Sequence, residues 1–313
     1  MLEVRNLTKM FGNFKAVDDL SFKLHPGRIY AFVGPNGAGK TTTMRMIATL
    51  EEPTSGEIYV NGMSTYEHPY EIRRLIGYMP DHYGTYPDLT IRDYLEFYAR
   101  AYGLEPAIRG TRIDRIMEFT GLNKIDGKRV DTLSKGMMQR LNMGRGLLND
   151  PKVLILDEPA AGLDPRARVE LRYLMKQLAE QGKTIFVSSH ILTELAEMCD
   201  EMLIIDRGRQ VTFGTVEQIQ GSMQEAVEIS VKLVGEQEEL LRFETWLLER
   251  AAVSQVSPRE SMAMTFSFAG DKGQVPALLR EIIEAGFPVL EFKPVMLSME
   301  DVFMQITQSD IEQ

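Results

Sequence analysis

The clearest chemical signal in the chain is a glycine-rich loop that follows an apolar run. Residues 34–41 read Gly-Pro-Asn-Gly-Ala-Gly-Lys-Thr, and residues 29–33 before them are continuously apolar. The backbone N–H groups of such a loop can turn inward around phosphate oxygens, and the N-terminus of a following helix adds partial positive charge. Lys40 is then expected to reach the β and γ phosphates, and the Thr41 hydroxyl to bind Mg²⁺. A plain turn between strand and helix is the competing explanation, and the strand-loop-helix context disfavours it.

Two carboxylates follow a second apolar run. Asp157 and Glu158 come directly after the aliphatic residues 153–156. Beside bound phosphates, Asp157 would hold the Mg²⁺ shell, and Glu158 would orient or deprotonate an attacking water. Acidic residues often end a strand for structural reasons alone. A functional role for this pair is favoured because a glycine-rich phosphate loop precedes it in the chain.

Four further residues each have a structural explanation of their own. Ser134, in a Leu-Ser-Lys-Gly-Met segment, and Asp164, before a proline, can each cap a helix. His190 follows an apolar run, where a histidine is more often a satisfied loop or core residue. Phe11 lies beside a Gly-Asn turn and is expected first as a core residue. None of the four decides a function by itself.

The elements that must position these residues follow an alternating pattern. Up to about residue 220, short β-rich runs alternate with longer helical patterns, which predicts an α/β domain with parallel strands covered by helices. The unbroken runs at 29–33 and 153–156 are typical of central strands buried on both faces. Residues 56–60 and the following Asn61-Gly62 pair predict a strand that enters a tight hairpin. Further strands are expected at 184–188 and 202–205.

The stretch at about 82–149 differs from its surroundings. It contains helical patterns and no convincing strand, so we expect a helical insertion within the α/β domain. Thr90 and Asp93 have the spacing of a capping box at the start of its first helix, and Gly103 is placed to end that helix.

A second domain is predicted from the last third of the chain. Apolar residues alternate along 227–233, and the elements that follow give the order βαββαβ with a terminal helix. This order matches the ferredoxin-like split βαβ arrangement, in which two helices cover one face of a small antiparallel sheet. We expect the domains to be 1–220 and 221–313. The predicted strands are 227–233, 252–257, 262–268 and 288–295, the helices 236–250 and 275–285, and Ser298 is the expected cap of the terminal helix.

Composition excludes several functional classes. The 313 residues include 35 Lys plus Arg and 45 Asp plus Glu, a formal net charge of -10, which argues against a general nucleic-acid binder. The aliphatic runs are far shorter than the about 20 residues of a membrane-spanning helix. The first residues lack the basic and apolar regions of a signal peptide. The single cysteine, Cys199, excludes an intramolecular disulfide and fits a reducing cytosol.

Taken in order along the chain, the motifs of residues 1 to about 220 resemble the nucleotide-binding domain of ATP-binding cassette (ABC) proteins. The resemblance implies that ATP and Mg²⁺ are bound and that ATP is hydrolysed. It assigns adenine stacking to Phe11 and contact with the γ-phosphate to His190. The residues that would form the phosphate loop are Gly34, Pro35, Asn36, Gly37, Ala38, Gly39, Lys40, Thr41 and Thr42. The signature loop would contain Ser134, Lys135 and Gly136. Asp164 would lie in the loop that crosses the dimer interface.

Three positions depart from the family pattern: Asp81, and Lys135 and Met137 at the third and fifth positions of the signature. Asp81 stands where the family usually has Gln, and its shorter, charged side chain could ligate Mg²⁺ or sit back from it. The metal ligands expected by resemblance are therefore Thr41, Asp157 and Asp81. Lys135 replaces the usual glycine of the signature, where it could approach the γ-phosphate on a partner subunit or face solvent.

The resemblance also implies partners. In the family the signature loop of one subunit closes over the nucleotide of another, so a homodimer or a heterodimer with a homologous ATPase is expected. A separate membrane permease would complete the transporter and would hold this chain on the cytosolic face of the membrane, without nucleic acid. Residues 297–303 also resemble the tails of subunits that serve multidrug, antibiotic or polysaccharide exporters. The alternatives are a soluble cassette protein acting on ribosomes or nucleic acid, and a nucleotide switch with little turnover.

Overall fold

The computed structural model describes residues 1–313 except 83, 85, 87, 190, 191, 223–226, 260, 261, 271, 272, 296–298 and 309–313. The chain divides into two compact units, Met1–Val216 and Glu217–Gln313. Over the described residues, no helix combines the length and the apolar character needed to span a bilayer.

The first unit contains ten strands and seven complete helices among its described residues. The strands are β1 Leu2–Phe11, β2 Phe14–Leu24, β3 Ile29–Val33, β4 Ser55–Val60, β5 Met63–Ser64, β6 Ile76–Met79, β7 Val153–Leu156, β8 Thr184–Ser188, β9 Glu201–Asp206 and β10 Arg209–Gly214. The helices are α1 Lys40–Ile47, α2 Pro69–Leu75, α3 Ile91–Ala101, α4 Pro106–Phe119, α5 Lys135–Gly146, α6 Pro165–Glu180 and α7 Leu192–Ala196, and α8 Val216–Ser222 follows at the boundary.

A six-stranded sheet lies at the centre of this unit, with the strand order β10-β9-β3-β8-β7-β6. All neighbouring pairs are parallel except β9 with β10. Every residue of β3 and β7 is buried, which confirms that the two unbroken apolar runs are central strands. Because the carboxyl ends of parallel strands share one edge, the segments after β3, β7 and β8 meet there.

A separate antiparallel sheet has the order β2-β1-β4-β5. The expectation of parallel strands from the start of the chain is therefore wrong for the first 24 residues, where β1 and β2 form a hairpin around Gly12. The predicted tight turn after β4 is confirmed, since Asn61 and Gly62 both have positive φ (51° and 82°) between the paired strands β4 and β5. Such a pair of left-handed residues matches the twist of a two-residue hairpin.

The described residues between β6 and β7 form helices and no strand, with one isolated bridge between Thr90 and Arg129. The capping box at the start of α3 is confirmed, because the Thr90 hydroxyl accepts from the Asp93 N–H and the Asp93 carboxylate accepts from the Thr90 N–H. Gly103, at φ 75°, follows the end of α3 as expected.

The second unit is built on a four-stranded sheet. Its elements are β11 Val227–Leu233, α9 Gln237–Leu248, β12 Val253–Arg259, β13 Ala263–Phe268, α10 Val275–Glu284, β14 Val289–Val295 and α11 Met299–Gln308. The strand order is β12-β13-β11-β14, and every neighbouring pair is antiparallel. Trp246, the only tryptophan of the chain, is partly buried against this core and contacts Phe243 and Phe287, with the Arg250 guanidinium 3.1 Å from its ring centre. Ser298, the expected cap of α11, lies outside the described residues.

Candidate functional site

The glycine-rich loop connects β3 to α1 and holds the Lys40 side chain. The Lys40 ammonium donates hydrogen bonds to the carbonyl oxygens of Gly34 at 2.6 Å and Pro35 at 3.1 Å. Burial lowers the pKa of Lys40, and the nearby carboxylates of Glu158 and Asp157 act in the opposite direction. The loop thus holds a buried cation at the start of a helix, an arrangement suited to binding an anion.

Gly39 shows why this loop requires glycine. Its φ is 102°, a left-handed conformation that other residues rarely adopt, and a β-carbon there would collide with the Ala16 carbonyl. Any larger residue would therefore push the loop away from β2 and displace Lys40, the next residue.

A hydrogen-bonded chain connects the three strand ends. The Thr41 hydroxyl donates to Asp157 Oδ2 at 2.9 Å, and the Ser188 hydroxyl donates to Asp157 Oδ1 at 2.7 Å. Asp157 is only 2% exposed, so these bonds fix its carboxylate in one orientation. Thr41 and Asp157 are thus in contact, as the sequence motifs predict, whereas no motif indicated a role for Ser188.

Glu158 follows in a constrained backbone conformation. Its φ is 50°, and its N–H donates to the Ser188 hydroxyl at 2.9 Å. A left-handed backbone at a non-glycine residue costs energy and is most often found where surrounding contacts impose it, including at functional sites. Here Ser188 and the turn after β7 hold Glu158 at the edge of the phosphate loop.

These groups line one cleft of about 350 Å³. The cleft brings together most of the residues predicted from sequence, and adds Phe14 and Ala16 of β2. Its lining is Phe11, Phe14, Ala16, Asn36, Gly37, Gly39, Lys40, Thr41, Thr42, Asp81, Asp157 and Glu158.

Two aromatic rings, Phe11 and Phe14, line this cleft. Phe11 is 49% exposed and Phe14 is 63% exposed, so the expectation of a core role for Phe11 is wrong. The rings flank the tight turn between β1 and β2. The Lys9 ammonium lies 5.0 Å from the Phe11 ring centre. The second aromatic residue could have been found from sequence, because the two rings flank the same Gly-Asn pair.

Asp81 also lines the cleft and follows shortly after β6 in the chain. Its carboxylate is 2.8 Å from the His82 Nδ1 atom and its side chain is 43% exposed. Burial raises the pKa of the neighbouring Tyr78 to about 12, with the Asp157 and Asp81 charges adding to the rise. Contact between Asp81 and a metal stays a prediction.

The oxygen donors of the cleft fit a magnesium ion. Mg²⁺ usually takes one or two carboxylates and completes its shell with water and substrate phosphates. The described residues contain no group of three or more His, Cys, Asp or Glu side chains that could hold a metal ion. Thr41 and Asp157 would hold the ion, which would neutralise phosphate charge there.

The predicted signature residues do not line this cleft. Ser134 caps α5, its hydroxyl accepting from the Met137 N–H at 3.3 Å, and a β-carbon on Gly136 would lie 2.8 Å from the Ala167 side chain. Lys135 is exposed, which agrees with the solvent-facing alternative, and its ammonium occupies the space that a β-carbon on Gly162 of the same chain would need. Asp164 caps α6 by accepting from the Ala167 N–H at 2.9 Å. The signature segment and the Asp164 loop are therefore packed against each other, outside the cleft.

His190 lies outside the described residues, so its predicted contact with the γ-phosphate stays a prediction.

Removal of the Ser188 hydroxyl tests the chain of hydrogen bonds. We expect Ser188→Ala to lower the free energy of unfolding by about 1–3 kcal/mol, because it leaves the buried Asp157 oxygen and the Glu158 N–H without this partner. We also expect it to lower kcat for ATP more than it raises KM. Ser188→Thr, which keeps a hydroxyl, is the matched control. Steady-state phosphate release and chemical unfolding measure both effects, and equal kcat values in all three proteins would contradict the positioning role.

Comparison with known proteins supports one family. Residues 17–161 match the family model described as ABC transporter. The uncharacterized ABC transporter ATP-binding protein YxlF of Bacillus subtilis (strain 168) is 34% identical over 310 residues, 99% of this chain and 100% of that protein. The Nod factor export ATP-binding protein I of Ralstonia nicotianae is 34% identical over 313 residues, 98% of this chain and 94% of that protein. A dimeric structure of a bacterial ABC transporter cassette superposes with a TM-score of 0.62 at 25% identity, covering 69% of this chain and 99% of the other.

Proposed function

The chain belongs to the ABC transporter family as an ATP-binding protein, and we propose that it hydrolyses Mg-ATP in a dimer to drive export through a separate membrane subunit. The observation that carries the proposal is the single cleft that joins the Lys40 loop, the Thr41–Asp157 pair and Glu158.

The residues of the cleft divide the work of hydrolysis. The loop N–H groups and Lys40 hold the phosphates, Thr41 and Asp157 hold the metal, and Glu158 aligns the water and accepts its proton. Ser188 holds the Asp157 carboxylate and the Glu158 backbone in position through one hydrogen bond to each. Phe11, an exposed ring in the lining of the cleft, stacks on the adenine ring.

A dimer follows from the place of the signature segment. Ser134 and the N-terminus of α5 do not line the cleft of their own chain. In the proposed dimer they close over the γ-phosphate held by the other subunit, where the helix dipole favours negative charge. Hydrolysis then removes this contact and reopens the dimer. The dimeric cassette structure supports this arrangement, and either a second copy or a homologous subunit fits it.

The chain is proposed to contain an ABC domain, 1–220, with a helical insertion at about 82–149, and an accessory domain, 221–313. Support for the insertion comes from α3, α4 and α5 between β6 and β7. Support for a ferredoxin-like accessory domain comes from its βαββαβ order and its antiparallel strand order. A dimerisation or regulatory role of this domain rests on analogy of fold alone.

Export rather than import is favoured by the Nod factor export relative, which matches across both units. The proposed place of the chain is the cytosolic face of the membrane, held by the permease. The net charge of -10 favours a protein partner over nucleic acid.

Two measurements test this function. Phosphate release at saturating Mg-ATP should proceed with turnover typical of enzymes, whereas a nucleotide switch would release almost none. A tagged chain expressed in its own cells should co-purify with a protein that contains several membrane spans. Sedimentation with ribosomes or RNA instead would favour the soluble alternative.

A further inference from the structure

The lining of the nucleotide cleft includes two phenylalanines, Phe11 and Phe14, and only Phe11 has a proposed role. Phe11 is the last residue of β1 and Phe14 is the first residue of β2, and the two are directly paired across the two-residue turn. Directly paired residues of antiparallel strands point to the same face of the sheet, with β-carbons about 4.5–5.5 Å apart. Phe14 therefore lies on the same side of the hairpin as Phe11, toward the cleft.

Both rings have surface available to a ligand. Phe14 is 63% exposed and Phe11 is 49% exposed. In the part of the chain that the structure describes, neither ring contacts the other or any further aromatic ring. Aromatic surface gains free energy when it leaves water, so two neighbouring exposed rings favour the binding of a flat apolar group between them and the solvent.

One face of the Phe11 ring is already occupied. The Lys9 ammonium lies over this ring, 5.0 Å from its centre. An ion pair with the Glu51 carboxylate at 2.7 Å and a hydrogen bond to the Glu52 carbonyl at 2.7 Å hold the ammonium there. A nucleotide base can therefore stack only on the other face of Phe11. Its own second face stays in water unless another ring covers it, and Phe14 is the second ring of the lining.

The polar side chains of the cleft come from other segments than the hairpin. They belong to the phosphate loop with the start of α1, and to the segments after β6 and β7, and they are Asn36, Lys40, Thr41, Thr42, Asp81, Asp157 and Glu158. The hairpin contributes Phe11, Phe14 and Ala16, and none of these side chains can form a hydrogen bond. Beside the rings, binding of a base therefore depends on its ring area and not on the groups along its edge.

We propose that Phe14 is a second base-binding residue, which covers the face of the base that Phe11 leaves open, and that the cleft accepts purine nucleotides as a class. This assignment rests on the proposed function, in which the cleft binds ATP. Stacking tolerates different bases because each has a π-face, and a purine offers more ring area than a pyrimidine. A site that hydrogen-bonds one group of its ligand would instead reject analogues without that group.

Calorimetry with Mg-ADP and with inorganic pyrophosphate separates the binding of the base from the binding of the phosphates. ADP lacks the γ-phosphate on which closure of the dimer is proposed to depend, so its affinity reports on a single subunit. We expect Phe14→Ala to bind ADP about 5- to 30-fold more weakly than the wild type, and to bind pyrophosphate with unchanged affinity. Tyr66→Ala, which removes an exposed ring outside the cleft, should bind both ligands as the wild type does.

Two further variants at the same position separate stacking from simple apolar contact. Phe14→Tyr keeps the ring, and its affinity for ADP should stay within about twofold of the wild type. Phe14→Leu keeps apolar volume without a ring, and its affinity should lie close to that of Phe14→Ala. A wild-type affinity in Phe14→Leu would show that the ring itself is not used and would contradict stacking.

The wild type alone gives a second measurement, which does not depend on the folding of any variant. We expect the Kd values for ADP, GDP and IDP to agree within about threefold, and the Kd for UDP to be at least about fivefold higher, because uracil has a single ring. Binding of GDP more than about tenfold weaker than that of ADP would show that hydrogen bonds distinguish the base edges, and would overturn the assignment of a purine class.

The outcomes separate the second base contact from the function on which it rests. If the wild type binds neither Mg-ADP nor pyrophosphate, both fail. If it binds ADP and Phe14→Ala binds ADP equally well, the second contact alone is wrong. An equal loss of ADP and pyrophosphate affinity in Phe14→Ala would mean that Phe14 supports the phosphate loop, and would also overturn the base contact.

Discussion

Glu158→Gln should trap the protein in its ATP-bound, dimeric state and lower the rate of hydrolysis by at least about 100-fold. The amide keeps the size of the side chain but cannot accept a proton from the attacking water. The backbone that positions residue 158 is held by the N–H bond to Ser188 and by the left-handed φ of 50°, neither of which depends on the carboxylate. Binding of ATP should therefore survive while turnover is lost.

The measurement combines phosphate release with size-exclusion chromatography in Mg-ATP. Glu180→Gln, at the exposed end of α6, removes the same charge away from the cleft and should behave as the wild type. Normal turnover in Glu158→Gln would show that another group accepts the proton. Loss of both turnover and ATP binding would instead mean that Glu158 supports the fold of the cleft.

Lys40→Ala should weaken ATP binding by about 10- to 100-fold, because charge-assisted contacts with phosphate are worth about 1.5–3 kcal/mol. Among the residues that the structure describes, the ammonium donates hydrogen bonds only to the loop carbonyls of Gly34 and Pro35, so the sheet does not depend on it. Isothermal calorimetry with Mg-ATP measures the affinity, and Lys176→Ala, exposed on α6, controls for loss of one positive charge. Undiminished affinity would contradict the role of the loop.

The pH dependence of stability gives Lys40 a second test. Because burial lowers its pKa below the ordinary 10.5, the unfolded chain binds more protons than the folded one between the two values. The contribution of Lys40 to the free energy of unfolding therefore rises with pH through that window and is smallest below it. This rise should be missing in Lys40→Ala and present in Lys176→Ala.

Continuous apolar runs were the part of the fold that sequence predicted best. The bounds of β3, β7 and β8 agree with the predicted ones, and every residue of these three strands is buried. The hairpin of β1 and β2 was missed. Its strands carry bulges that interrupt the alternation of apolar and polar residues.

The part of the site that lies in one contiguous segment could be predicted from the sequence. The contacts between residues of different strands could not. The Lys40 loop is a contiguous motif. Ser188 reaches Asp157 because β8 lies between β3 and β7 in the sheet. No local sequence pattern indicates this strand order. The same holds for Arg145 and Tyr98, which lie 47 residues apart and meet through the packing of α5 on α3.

The single tryptophan has a practical consequence for spectroscopy. Trp246 is partly buried against the aromatic core of the second unit and contacts Phe243, Phe287 and Arg250, and none of the residues that line the nucleotide cleft is a tryptophan. Intrinsic tryptophan fluorescence therefore reports on the second unit alone, whereas a nucleotide dye bound in the cleft reports on the first. With both signals followed in one denaturant titration, the order in which the two units melt can be observed directly, without cutting the chain.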